Sequence, residues 1–178
     1  MPAVHGLSIT LLALAVGALA SGPAQGATAL RHFVSHPAGT CQGALPAFET
    51  AIRKRPLAVK NEGTTPAFVT CSFTSQGQDG GMSTRNPTRV AVYFRNSGAP
   101  VTLSCTGVSG YEGTASTAQY VVKSMPLGGG IPSLVWSAAD FGEAAYFPNG
   151  LFSISCALAP GVSIHESVVQ FEEEIGAL

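Results

Sequence analysis

Apolar and polar side chains alternate with a period of two through most of the chain beyond residue 56. In "RVAVYFRN", Val90, Val92 and Phe94 fall on one side and Ala91, Tyr93 and Arg95 on the other, as a strand with one buried face requires. The turn "NSGAP" leads into "VTLSCTGV", where Val101, Leu103 and Cys105 alternate with Thr102, Ser104 and Thr106. The two segments read as a hairpin with an apolar inside and a hydroxyl-rich outside. Leu57 and Val59 lead to a turn at Asn61-Glu62-Gly63, and the chain returns past Pro66 with Val69, Cys71 and Phe73 on one face. "AQYVVKSM" and "SLVWSA" flank a glycine-rich "PLGGGIP". Asn149-Gly150 introduces "LFSISCAL", in which Phe152, Ile154, Cys156 and Leu158 alternate with Ser153, Ser155 and Ala157. The last segment, "VSIHESVVQFEEEI", changes phase between Ile164 and Val169, which predicts a β-bulge near Glu166 to Val168.

About seven or eight strands joined by short turns predict an all-β fold, a two-sheet antiparallel β-sandwich. At most one short helix is expected, in "ALPAFETAIRKR", where Pro46 and Pro56 confine it. Neither an internal repeat nor a domain linker interrupts the pattern, and "SQGQDGGMSTRNP" reads as one long polar loop.

Composition agrees: 21 Gly and 12 Pro punctuate a chain in which 46% of residues are hydrophobic and 11% charged, enough apolar surface for a core. A net charge of −1 argues against nucleic acid as a partner, since such proteins carry a basic excess. The charges are uneven along the chain. Through residue 100 there are eight Lys or Arg against three Asp or Glu, and beyond it one against seven. Either strands from both halves interleave and mix these charges, or the molecule is dipolar.

From Leu7 to Ala20 the sequence "LSITLLALAVGALA" is uncharged but shorter than the about 20 residues of a spanning helix. With the small residues Ala24 and Gly26 flanking Gln25 just before Ala27, it reads as a signal peptide over 1–26. A single β-sandwich domain then occupies 27–178, secreted or periplasmic, with no transmembrane segment in the mature chain.

The four cysteines, Cys41, Cys71, Cys105 and Cys156, form no C-x-x-C motif, and in an exported chain they are expected to pair. Three connectivities exist; pairing neighbours in the chain joins Cys41 to Cys71 and Cys105 to Cys156. An inward-facing strand position suits Cys71 to a staple and not to a nucleophile, which needs an electropositive, accessible site.

"RPLAVKNEGTTPAFVTCSF", "LVWSAADFG" and "CALAPGVSIHESVVQFEEEIG" together resemble small exported bacterial β-rich proteins with paired cysteines. The resemblance implies an exported, disulfide-paired β domain, and brings no activity, ligand or catalytic residue with it.

Several residues are candidates for chemistry. His32 and His36, four apart, with His165 elsewhere, offer nitrogen ligands for Zn or Cu. Glu172, Glu173 and Glu174 offer oxygens for a hard cation, although consecutive strand residues point to opposite faces. Arg53 to Arg55 with Lys60 form a weak basic patch, and Asp140 with Glu143 a pair of neighbouring acids. Trp136, Tyr111, Tyr120, Tyr146 and Phe147 lie in or beside turns and are candidates for a contact surface; the competing reading puts Trp136 and Phe147 in the core. The G-x-S-x-G elbow, H-E-x-x-H, the P-loop and the dinucleotide fingerprint are all missing from the sequence. The reading is therefore a non-catalytic binding or envelope-associated module without cofactor, with a protein or polysaccharide as partner and an undetermined oligomeric state. The alternatives are a small metal-dependent enzyme built on His32, His36 and His165, or an inhibitor of a secreted enzyme.

Overall fold

The structure is a computed structural model, and it describes residues 27–73, 87–110, 112, 118–148 and 151–175. Residues 1–26, where a signal peptide is expected, Asn149 and Gly150, where a turn is expected, and most of the expected polar loop "SQGQDGGMSTRNP" lie outside these.

Among the described residues, eleven strands form two antiparallel sheets, more strands than the alternation alone predicts. The first sheet contains β1 (Ala27–Ser35), β3 (Ile52–Arg55), β4 (Ala58–Asn61), β6 (Pro87–Asn96), β9 (Ser133–Ser137) and β11 (Val162–Ile175). Its order is β3-β4-β11-β6-β9, with β1 also paired to β11. The second contains β2 (Cys41–Gly43), β5 (Ala67–Phe73), β7 (Val101–Ser109), β8 (Gln119–Leu127) and β10 (Phe152–Leu158), in the order β2-β5-β10-β7-β8. The extra strands come from segments too short to show a period, such as β2, or lacking one, such as β3.

"ALPAFETAIRKR" does not form the expected helix. Pro46–Phe48 makes one 3-10 turn and Ile52–Arg55 goes straight into β3, whose partner β4 follows immediately. Among the described residues the one α-helical turn is α1 (Pro37–Thr40), with Pro37 in its first turn, where no intrahelical N–H is needed. It carries the chain from β1 in one sheet to β2 in the other.

The expected partners of several strands are also corrected. β6 and β7 do not form a hairpin: β6 lies in the first sheet and β7 in the second, as do β4 and β5, and "NSGAP" spans the core as an arch. True hairpins are β3-β4 and β7-β8. Each strand still buries the face its alternation marks: Val69, Cys71 and Phe73 in β5, Leu103 and Cys105 in β7, Phe152, Ile154, Cys156 and Leu158 in β10.

In β11 the phase change is resolved by a bulge between Ile164 and Glu166, just before the expected place, so that Ile164 and Val169 both reach the core. Both disulfides, Cys41–Cys71 and Cys105–Cys156, join directly opposed residues of neighbouring strands within the second sheet. They staple that sheet to itself and do not tie the two layers together.

Polar contacts do tie the layers: besides three others, Asn96 Nδ2 of β6 donates to the Leu127 carbonyl of β8 at 3.2 Å. Asn61, buried in β4, donates from Nδ2 to the carbonyls of Thr65 and of Leu158 in β10. Trp136 in β9 is fully buried and donates Nε1–H to the Val121 carbonyl of β8. Its ring lies over β7 at Gly107, where a Cβ would come within 2.4 Å of Trp136 Nε1, so no larger residue fits without displacing the indole. The third is Lys123 of β8, whose ammonium donates to the Val135 carbonyl and, at 2.7 Å, to Asp140. Asp140 also accepts from the Ser137 backbone and hydroxyl. Burial works to raise the Asp140 pKa, but the bonds from Lys123 and Ser137 outweigh it and hold the carboxyl below its ordinary value.

Candidate functional site

The expected aromatic surface does not assemble. Trp136 and Phe147 are core residues, with Phe147 packed against Phe141 and Phe152 at ring distances of 5.1 and 5.2 Å. Their large apolar area is worth more buried than exposed. Tyr146 is half-buried and donates to Glu172 of the first sheet, while exposed Tyr120 lies on the second and donates to Glu112. Each bond to a carboxylate raises its phenol's pKa. Tyr111 lies outside the described residues.

The histidines are not gathered either. His32 is exposed on β1 beside Gln170, and His165 sits at the β11 bulge, 3.0 Å from the Ser163 hydroxyl. Among the described residues no group of three or more His, Cys, Asp or Glu comes together to hold a metal, so His32, His36 and His165 do not form the expected site. In the acidic run, Glu172 accepts from Tyr146 and Glu173 from Arg31. Arg55 of the basic patch is clamped bidentately by Glu62, and Asp140 is committed to Lys123 and not to Glu143.

What the fold does assemble is an uncharged face on the outside of the second sheet. Across its strands only Lys123 carries a formal charge, and that side chain turns inward; the strands of the first sheet carry eleven. The pairing registers place the outward residues in rows. One runs Gln42, Thr70, Ser155, Thr106, Val122 across all five strands. A row to one side runs Phe68, Ala157, Ser104, Ser124, and to the other Ser72, Ser153, Val108, Tyr120.

The backbones that carry these hydroxyls therefore stand about 4.8 Å apart, the inter-strand spacing. Ser124 and Ser104 hydrogen-bond to each other at 3.1 Å. The two exposed rings sit at opposite corners, Phe68 at 48% and Tyr120 at 60% exposure. Three strand spacings and four residues of rise separate them, a diagonal of roughly 19 Å. Phe68 is steadied by Phe48, 5.8 Å away, and Tyr120 by its bond to Glu112. Two shallow depressions lie at opposite ends of the same sheet: one of about 190 Å³ beside Ser72 and Ser153, the other of about 330 Å³ between Val101 and Pro126.

Alternating serines and threonines in "VTLSCTGV" and "LFSISCAL" mark part of this face in the sequence. Phe68, Thr70 and the order in which the rows meet are not marked there, because non-neighbouring segments supply them.

Neither a family model nor a curated protein matches the chain. Among solved structures it is similar to a family 11 carbohydrate-binding module from Clostridium thermocellum, in complex with a beta-1,3-1,4-mixed-linked tetrasaccharide. The identity is 16% over 89% of this chain and 92% of that one, with a TM-score of 0.34. It is also similar to TmCBM61 in complex with beta-1,4-galactotriose, at 8% identity over 80% and 88% of the chains and a TM-score of 0.34. Superpositions this loose define neither a shared fold nor a shared ligand. Among the described residues, no helix is long and apolar enough to cross a membrane.

Proposed function

We propose that the protein is an exported, non-catalytic binding module that docks a neutral, polyhydroxylated ligand, a glycan, across the outer face of the second sheet. The observation that carries this reading is the absence of formal charge from every outward position of the five strands β2, β5, β10, β7 and β8. A solvent-facing surface is ordinarily rich in Lys, Glu, Asp and Arg, and the centres of contact surfaces are depleted in them, because covering a charge costs its hydration. Hydroxyls at strand spacing both donate and accept, which suits a partner that is itself an array of hydroxyls. The rings of Tyr120 and Phe68 supply apolar faces at the two ends for the C–H faces of sugar rings. Two disulfides staple neighbouring strands of this same sheet and support an oxidising destination for the protein.

Retention on neutral polysaccharides such as glucans and xylans, compared with acidic polygalacturonate, tests the reading. The neutral polymers should retain the protein with little dependence on salt, and Thr106→Asp should weaken retention at least about tenfold. Failure to bind any neutral polymer, or full retention of the Thr106→Asp variant, would overturn it.

A further inference from the structure

We propose that strand β1 is the seam of a two-fold homodimer, in which two copies add edge to edge and their first sheets become continuous. The inference rests on how the edges differ. β2 is three residues long, and β3 carries Arg53, Lys54 and Arg55. β8 contains Pro126 and an inward Lys123, and β9, the other end of the first sheet, is only five residues long and gives its Val135 carbonyl to that lysine. Short length, cationic side chains, proline and inward lysine are the devices by which sheet edges resist pairing. Of these β1 has only one cationic side chain, Arg31, which is tied to Glu173 of β11. It is nine residues long and without proline or lysine, and on its far side from β11 it has no partner among the described residues. It also exposes apolar side chains, Leu30 at 57% and Val34 at 58%, with Phe33 at 39%.

The occupant follows from the strand itself. Its only formal charge, Arg31, is already paired to Glu173 at 2.7 Å on the same chain, so the edge neither selects a charged partner nor repels its own copy. Antiparallel pairing across a two-fold axis must set like faces together, so the axis passes through a residue. An axis at Arg31 would set two guanidiniums side by side. Moving it to His32 avoids this, keeps residues 29–35 of both copies paired, and sets Leu30 of each against Val34 of the other. An axis at Phe33 shortens the overlap and leaves Leu30 without that contact. The strand is thus its own complement, as an isologous interface requires.

Analytical ultracentrifugation of the leaderless chain over the micromolar to hundred-micromolar range is the test, with hydrogen exchange of the β1 amides alongside. The wild type should sediment as a dimer. Val34→Lys should raise the dissociation constant at least about tenfold, and Leu57→Lys, a similarly exposed apolar site on the β3–β4 turn, should leave it unchanged. A wild type that stays monomeric, or a Val34→Lys variant that dimerises as well as the wild type, overturns the proposal. Should Val34→Lys fail to fold, exchange in the wild type decides: protection of β1 that rises with concentration supports the seam, and protection independent of concentration refutes it. The outcome is independent of glycan binding, which uses the other sheet.

Discussion

The two sheets share one core and differ in almost everything they show to solvent. The first carries nearly all the charge of the strands, arranged in local pairs such as Arg31 with Glu173 and Arg55 with Glu62. The second is neutral outside, holds both disulfides and turns its single lysine toward its neighbour. Charged side chains keep a surface hydrated, whereas a neutral hydroxyl surface loses less hydration when it is covered. Placing the covalent staples in the second sheet fits a division in which one layer solubilises the molecule and the other meets a partner.

The largest expected effect that would sharpen this contrast is loss of the staples. Closed loops of 30 and 51 residues correspond to about 3.6 and about 4.1 kcal/mol in the chain-entropy account. Paired replacement Cys105→Ala with Cys156→Ala should therefore lower stability in urea by somewhat more than Cys41→Ala with Cys71→Ala. Losing both pairs removes much of an ordinary domain's 5–15 kcal/mol. Trp136→Ala comes next, at about 3–5 kcal/mol for an emptied indole site; a loss under about 1 kcal/mol would mean that the layers do not depend on this anchor.

Lys123→Met should cost about 1–2 kcal/mol, since it deletes charge-assisted bonds at a partly exposed site. The measurement is again a denaturant midpoint, and no change would remove Lys123 from the ties between sheets. Ser155→Lys should move stability by no more than about 0.5 kcal/mol while abolishing retention on neutral polysaccharide, separating what the neutral face does from what holds it up.

The smallest effect belongs to the charged sheet. Burial, and then the charge of Arg95, lower the His165 pKa, with Glu166 opposing. The folded chain therefore resists a proton that the unfolded chain accepts near pH 6.5. The stability this group contributes is complete above that value and is lost as pH falls through the lower folded-state pKa. Thermal midpoints measured from pH 8 to 5 should show a slight decline that His165→Gln removes. An unchanged slope in that variant would acquit the histidine.

Part of this contrast is visible before folding. The serines and threonines of "VTLSCTGV" and "LFSISCAL" mark outward hydroxyls, and the alternation about Cys71, Cys105 and Cys156 marks inward sulfur. Trp136 and Phe147 are harder: a turn-flanking aromatic looks alike whether it caps the core or faces a ligand. His32, His36 and His165 look like a ligand set only while their separation in space is unknown.

Local alternation depends on the side-chain period of a strand, so the residues themselves determined which segments are extended, which face of each is buried, and that two layers must cover one another. They did not determine which strands are neighbours. A hairpin and an arch between sheets bury the same alternate residues, because in both the apolar face turns toward one core; β6 and β7 read as the first and form the second. Only the tertiary arrangement could collect the charged strands in one layer and the uncharged ones in the other. That sorting depends on pairings between segments far apart in the chain, Thr70 beside Ser155 and Ser155 beside Thr106, to which no local pattern has access.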